Sequence, residues 1–256
     1  MSDYIYNRGL VTNATLPTAV SNNEWAGERV NKWGEIISVP MGRWRYAAAE
    51  DGTYFIAHNA TNDAATTIAG HAAPVLADAD ATMTKPLIHA VHGGASTSTV
   101  KCYLDFIEIE VVTAGATATQ ACWATQLDTG TTRITTAGTA LTKVCPNMQS
   151  TATSVLSPTA GAIVVGAESA NVRHLSHGTH RPSIEVAGDK YVHVFGGEPE
   201  TVGAQGATAA ASVRTFIVNQ PPVILGVNDA FLFALHGQAA QNAAGVYKIR
   251  MGWFER

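Results

Sequence analysis

The alternation of apolar and polar residues is the dominant pattern of the chain from Glu35 onward. It is clearest in Val100–Thr113, where apolar residues occupy the even positions from 102 to 106 and then the odd positions from 107 to 111. A period of two predicts a β-strand, because successive side chains of a strand point to opposite faces. The change of phase predicts a bulge or a bend at Phe106–Ile107.

Further short runs rich in β-branched and aromatic residues are bounded by Gly, Pro, Asn or Asp, and each predicts a strand. These runs are Glu35–Val39, Tyr54–His58, Leu87–Val91, Ala121–Leu127, Leu141–Cys145, Ala162–Val165, Ile184–Val186, Tyr191–Phe195, Val213–Val218, Phe231–His236 and Val246–Phe254. No helical pattern separates them, so the sequence predicts an all-β fold, an antiparallel β-sandwich of the jelly-roll type, and excludes a parallel α/β sheet. The Gly-, Ala- and Thr-rich segment Glu198–Ala211 is expected to form an exposed loop.

Residues 1–34 lack this alternation and mix aromatic residues with Asn, Thr and Ser. Ser21–Glu24 fits a helix capping box and Gly34 could end a short helix, with an irregular loop as the alternative. The chain is therefore predicted to consist of an N-terminal arm, residues 1–34, and a β-sandwich, residues 35–256. The candidate partner-contact residues of the arm are Tyr4, Tyr6, Trp25 and Trp33. Such large apolar groups in a polar segment need burial, either against a neighbouring protein or against the core of the chain itself.

Charged residues make up only 14% of the chain, whereas about 25% is usual for soluble domains. With 46% apolar residues the chain is globular, so much of its surface must be uncharged, which favours a subunit covered by neighbours. The net charge of -4 and the lack of a basic run argue against a nucleic-acid-binding surface. The first residues do not resemble a signal peptide and no apolar run is long enough to span a membrane, so we expect synthesis and retention in a cytoplasm.

Histidine is the residue type that most invites a functional interpretation, since nine are present. His174, His177 and His180 form a histidine tract. On a regular strand His174 and His180 would share a face while His177 pointed away, so this tract predicts no metal site within one chain. A site shared by several subunits on a symmetry axis stays open. His89 and His92 are separated by two residues and are expected on opposite faces, unlike the His-x-His pair of cupin metal sites.

Other catalytic patterns are weak. The sequence contains no Gly-x-Ser-x-Gly elbow, and Cys102, Cys122 and Cys145 share no metal-ligand spacing, so they are interpreted as small apolar strand residues. Four carboxylates on predicted strands are ordinary strand-face residues rather than a glycosidase pair: Asp105, Glu108, Glu110 and Glu185. We therefore expect no catalytic, cofactor-binding or metal-binding residues, and a protein that is not an enzyme.

Five segments resemble virion structural proteins of tailed bacteriophages, in a similarity that extends from about residue 35 to the C-terminus. They are Gly52–Ala57, Ile68–Pro74, Lys85–Ile88, Tyr103–Ile107 and Gly252–Arg256. These are framework positions rather than chemical motifs, and the arm is the part that matches least.

The resemblance implies a capsid cement or decoration protein that stabilises the shell of the major capsid protein. It further implies a homo-oligomer, expected to be a trimer, on the exterior of the capsid, made in the host cytoplasm and without direct contact to nucleic acid or membrane. A tail, adaptor or fibre protein is one alternative. A receptor- or carbohydrate-binding module using Trp44 and Trp123, and a metal-dependent jelly-roll enzyme using the histidines, are the others.

Overall fold

A computed structural model describes residues 44–59, 68–71, 83–115, 121–129, 133–196, 213–237 and 244–256. The chain divides into two units, Met1–Ala47 and Ala48–Arg256, and all the strands described below belong to the second. The predicted arm, its boundary at residue 34 and the predicted strand Glu35–Val39 lie outside the described residues. So does the predicted loop Glu198–Ala211.

The described residues form one short helix, α1 (Trp44–Glu50), and sixteen strands. The strands are β1 (Tyr54–His58), β2 (Ile68–Ala69), β3 (Ile88–His92), β4 (Cys102–Thr113), β5 (Ala121–Thr129), β6 (Ile134–Thr136), β7 (Thr139–Ala140), β8 (Thr142–Val144), β9 (Leu156–Ala160), β10 (Val164–Val165), β11 (Arg173–Arg181), β12 (Lys190–Phe195), β13 (Thr215–Gln220), β14 (Ile224–Leu225), β15 (Asp229–His236) and β16 (Val246–Glu255). The predicted all-β class is confirmed.

Two large sheets form the sandwich. The eight-stranded sheet has the order β13-β12-β4-β16-β1-β8, with β14 pairing to β4 and β2 to β16. The six-stranded sheet has the order β11-β5-β15-β3-β9-β7, and β10 pairs with β6 in a small separate sheet. All these pairings are antiparallel except β12 with β13, which run parallel. The prediction of an antiparallel sandwich is therefore confirmed with one parallel pair, whereas the jelly-roll connectivity stays a prediction.

The main core lies between the two sheets. The eight-stranded sheet contributes Ile107, Ile109 and Trp253, and the six-stranded sheet contributes Phe231 and Phe233, all of them fully buried. Burial of apolar side chains of this size contributes roughly 1.5–3 kcal/mol each to folding. A second cluster covers the outer face of the six-stranded sheet, where alternate residues of β15 pack against Met83 and Ile163. Because β15 is covered on both faces, it reads as a continuous apolar run rather than as an alternation.

The change of phase in β4 is a β-bulge, as the sequence predicted. Trp253 of β16 pairs with Leu104 and the preceding Gly252 pairs with Phe106, so Asp105 is the extra residue. The bulge turns Asp105 inward, where its carboxylate accepts a hydrogen bond of 2.7 Å from the hydroxyl of Tyr54. The irregularity therefore lies one residue before the predicted position.

One predicted strand is wrong. Ile184–Val186 forms no strand; it belongs to the loop between β11 and β12, where the carboxylate of Asp189 accepts a hydrogen bond from the Val186 amide. The Val186 amide is thus used to close a turn rather than to pair with a neighbouring strand. Conversely, six described strands have no counterpart among the predicted strands: β9, β11 and the short strands β2, β6, β7 and β14.

Candidate functional site

The four candidate contact residues of the arm, Tyr4, Tyr6, Trp25 and Trp33, lie outside the described residues. The candidate glycan platform is not formed by Trp123, which is only 5% exposed and belongs to the main core. The side chain of Trp44 lies outside the described residues. The hypothesis that Trp123 lies on the surface is wrong because β5 is covered on both faces, with seven of its nine residues buried.

The histidine tract forms β11, but not with the predicted facing. The register against β5 shifts at Leu175 and again at His180. His174 and His177 are exposed on the outer side, whereas His180 is buried in the core. The expectation that His174 and His180 share a face is wrong, because the bulge at Leu175 reverses the alternation.

A buried chain of polar side chains begins at His180. Its Nε2 lies 2.8 Å from Nε2 of His193, and Nδ1 of His193 lies 3.0 Å from the amide nitrogen of Gln220. The hydroxyl of Ser176 donates to the side-chain oxygen Oε1 of Gln220 and lies 2.7 Å from the hydroxyl of Thr125. If the Gln220 amide donates, His193 carries its proton on Nε2 and donates to His180. The chain thereby joins the two sheets across the core.

Burial keeps both of these histidines neutral. Desolvation lowers the pKa of His193 to about 3. The pKa of His180 lies well below its usual value, mainly because of desolvation and in smaller part because of the neighbouring His193 and His236. Three buried donors around this pair have no hydrogen-bond partner among the described residues: Nδ1 of His180, Nε1 of Trp123 and the hydroxyl of Tyr191. The His180 and Tyr191 rings are stacked 4.1 Å apart, so packing rather than hydrogen bonding holds them.

Glu185 is the most perturbed carboxyl group of the described chain. It is 5% exposed, and desolvation raises its pKa to about 7 although the hydroxyl of Tyr247 donates to it at 3.1 Å. A cavity of about 10 Å³ beside it, lined also by His71, Lys85 and His236, has room for one water molecule. Glu185 could exchange a proton near neutral pH, but a cavity of this size holds no organic substrate.

A buried ion pair lies next to Glu185. Both oxygens of Asp189 accept hydrogen bonds from Nη1 of Arg181, at 2.7 and 3.0 Å, and the two side chains are almost fully buried. The same carboxylate accepts the amide of Val186 at 2.9 Å and the amide of Arg214, just before β13, also at 2.9 Å. Asp189 thus ties β11, the following loop and the approach to β13 together.

The other histidines and carboxylates singled out from the sequence do not come together. His89 pairs with Leu232 of the outer cluster and His92 with Leu156 of the main core, so the two lie on opposite faces, as predicted. Glu108 and Glu110 lie on the surface of the eight-stranded sheet, as predicted, and form ion pairs. Their partners are Lys190, Lys248 and Arg250. Among the described residues no group of three His, Cys, Asp or Glu side chains could hold a metal ion.

The two outer strands of the eight-stranded sheet are the most exposed apolar features. On β13, Ile217 is 53% exposed, and Val213 just before it is 60% exposed. All three residues of β8 are exposed, including Val144, and Met148 follows in the next turn. In the described part of the chain each of these strands has a partner on one side only. As far as the described residues go, the outward backbone groups of these two strands can pair with a further strand.

No described helix has the length and apolar character that a membrane span requires. Comparison of the chain with models of protein families, with curated proteins and with solved structures finds no match.

Proposed function

We propose that the chain is a non-enzymatic structural component of a tailed-bacteriophage virion, a cement or decoration protein that stabilises the shell of the major capsid protein as a homo-oligomer, expected to be a trimer. The proposal starts from the resemblance of the five framework segments and from the low content of charged residues. The fold is compatible with it, because the sandwich has its own core and, within the described residues, its outer strands β8 and β13 are available to contact neighbours.

The observation that carries the proposal is the character of the two outer strands. Four of the six large apolar side chains exposed on the described chain lie on or beside β8 and β13, rather than being scattered. Soluble monomers usually protect outer strands with charged residues, Pro or a covering segment. Apolar outer strands suit a subunit whose edges are covered by other copies or by the shell.

The buried polar groups have structural roles that need no substrate. The histidine chain bridges the two sheets, Asp189 closes a loop, and Glu185 holds Tyr247 of β16. A tail, adaptor or fibre subunit is the alternative, since the same edges would serve there, and the number of copies per particle separates the two.

The arm supplies the experiment. Deleting residues 1–34 is expected to leave a folded β domain that binds isolated capsid shells weakly, because the four aromatic anchors are lost. At roughly 1–3 kcal/mol for each aromatic anchor, losing two or more weakens binding tens-fold to thousands-fold. Cosedimentation with shells measures the loss, and circular dichroism shows whether the domain keeps its strands.

A matched variant carries the arm with Tyr4, Tyr6, Trp25 and Trp33 all replaced by Ala, and it should lose binding to the same extent. A truncated domain that is molten would place the aromatic residues in the core of the chain itself. Normal binding by both variants would contradict a role of the arm in attachment.

A further inference from the structure

A cleft of about 300 Å³ opens at the rim of the sandwich, where β5 ends and β11, β14 and β15 begin. Its walls include Asn171, Arg173, Ile224, Leu225 and Asp229. This volume is at the lower limit of small-molecule binding sites in proteins. The cleft is separate from the histidine chain, from Glu185 and from the outer strands.

One of its two carboxylates is already engaged. Asp128, which also lines the cleft, accepts hydrogen bonds from Nη1 of Arg133 at 2.6 Å, from the Thr129 amide at 2.7 Å and from the amide and hydroxyl of Ser169. Its charge is neutralised by the buried guanidinium of Arg133. Asp128 therefore shapes the wall and has little capacity left for a ligand.

Three other polar groups are available. Asp229 uses one carboxylate oxygen to accept the Gly226 amide at 2.8 Å, and within the described residues its other oxygen accepts no hydrogen bond. The guanidinium of Arg173 and the side-chain amide of Asn171 also make no hydrogen bond or ion pair to any described residue. Together these groups offer several donors and at least two acceptors.

The charges of the cleft balance. Asp128 is paired with Arg133, and Arg173 and Asp229 contribute one positive and one negative formal charge, so the formal charges sum to zero. Neither an anion nor a cation therefore gains net attraction. The accessible apolar part of the wall is mainly Ile224, which is 49% exposed, with a smaller contribution from the half-buried Leu127. The cleft thus combines an aliphatic surface with donors and acceptors in a neutral setting.

We propose that this cleft binds a neutral saccharide. A sugar hydroxyl both donates and accepts, which matches the mixed donors and acceptors of Asn171, Arg173 and Asp229. The C–H face of a pyranose ring can pack on Ile224 and release water from both surfaces. This inference does not depend on the proposed virion role, since the described residues that line the cleft belong to neither of the outer strands β8 and β13.

The test is saturation-transfer NMR and titration of the isotope-labelled full chain with glucose, galactose, N-acetylglucosamine and maltose. At least one sugar should bind with a dissociation constant of about 1 mM and shift the methyl signals of Ile224. Arg173→Ala and Asn171→Ala should each weaken binding about tenfold, the effect of one lost hydrogen bond. Asp229 is left unchanged because it also closes a turn.

Arg250→Ala is the matched control, because it removes an exposed arginine from the surface of the eight-stranded sheet and should leave binding unchanged. The proposal is overturned if no sugar of the panel binds to the folded chain at sugar concentrations up to tens of millimolar, roughly ten times the expected dissociation constant. It is also overturned if the two cleft variants bind as well as the unchanged chain, or if inorganic phosphate occupies the cleft in place of sugars.

Discussion

Replacing Asp189 by Ala will lower the free energy of unfolding by about 3–5 kcal/mol, the usual effect of removing one partner of a buried ion pair. Asp189 is fully buried, and it accepts hydrogen bonds from Arg181, Val186 and Arg214. The substitution leaves the guanidinium of Arg181 in the core without its carboxylate and leaves two amides without their acceptor. Equilibrium urea unfolding followed by tryptophan fluorescence measures the loss.

Glu110→Ala is the matched control, since Glu110 pairs with Lys190 and Lys248 at 3.4 and 3.9 Å on the surface of the eight-stranded sheet. Exposed pairs of this kind contribute at most about 1 kcal/mol. In addition, the double variant Arg181→Met/Asp189→Leu should be more stable than Asp189→Ala, because no charge stays buried. Equal losses for Asp189→Ala and Glu110→Ala would show that the buried pair does not hold the loop.

Replacing Glu185 by Gln will stabilise the protein at pH 8 and leave its stability almost unchanged at pH 4.5. Burial raises the pKa of Glu185 from 4.5 to about 7, so the folded state holds the proton more tightly than the unfolded state does. The unfolding free energy therefore falls as the pH rises from about 4.5 through about 7, by about 3 kcal/mol in total. Glutamine cannot ionise, yet its side-chain oxygen can still accept from Tyr247.

Urea unfolding at both pH values measures this difference, with Glu108→Gln on the exposed sheet surface as the control for a lost negative charge. A gain at pH 8 that is absent at pH 4.5, and absent from the control, is the expected result. A Glu185→Gln variant that is less stable than the unchanged chain at pH 8 would mean that the ionised carboxylate is stabilising in its site.

The strands that could be predicted are those whose own sequences carry a recognisable strand pattern. β4 and β16 each have one face in the core and one that is partly exposed, so apolar and polar residues alternate along most of their length. β1 and β12 were recognisable as short runs rich in aromatic and β-branched residues. Even the bulge in β4 could be recognised, because an extra residue moves every later side chain to the other face.

The longer strands that were not predicted, β9 and β11, lack such a pattern. β9 contains Pro158, which usually argues against a strand, and β11 has mostly polar or small residues with bulges at Leu175 and His180. The parallel pairing of β12 with β13 is fixed by contacts between distant segments, which no local pattern encodes.

The buried clusters could not be predicted for the same reason. His193 lies on a predicted strand but His180 does not, and nothing in the sequence shows that β11 faces β12 across the core. Glu185 was expected on an exposed strand face, but the loop closed by Asp189 turns it inward. A local sequence pattern shows at most which residues of a strand share a face. It does not place residues that lie in loops, at bulges or at the rim of the sandwich, as these groups do.

The most direct test of the proposed role is the number of copies in purified phage particles, determined by quantitative mass spectrometry against the major capsid protein. A cement protein is expected in a fixed ratio to the major capsid protein, with a copy number of the same order, and it should dissociate from the particles as a trimer. Absence from the particles, or only the few copies typical of a tail or adaptor component, would contradict the proposal.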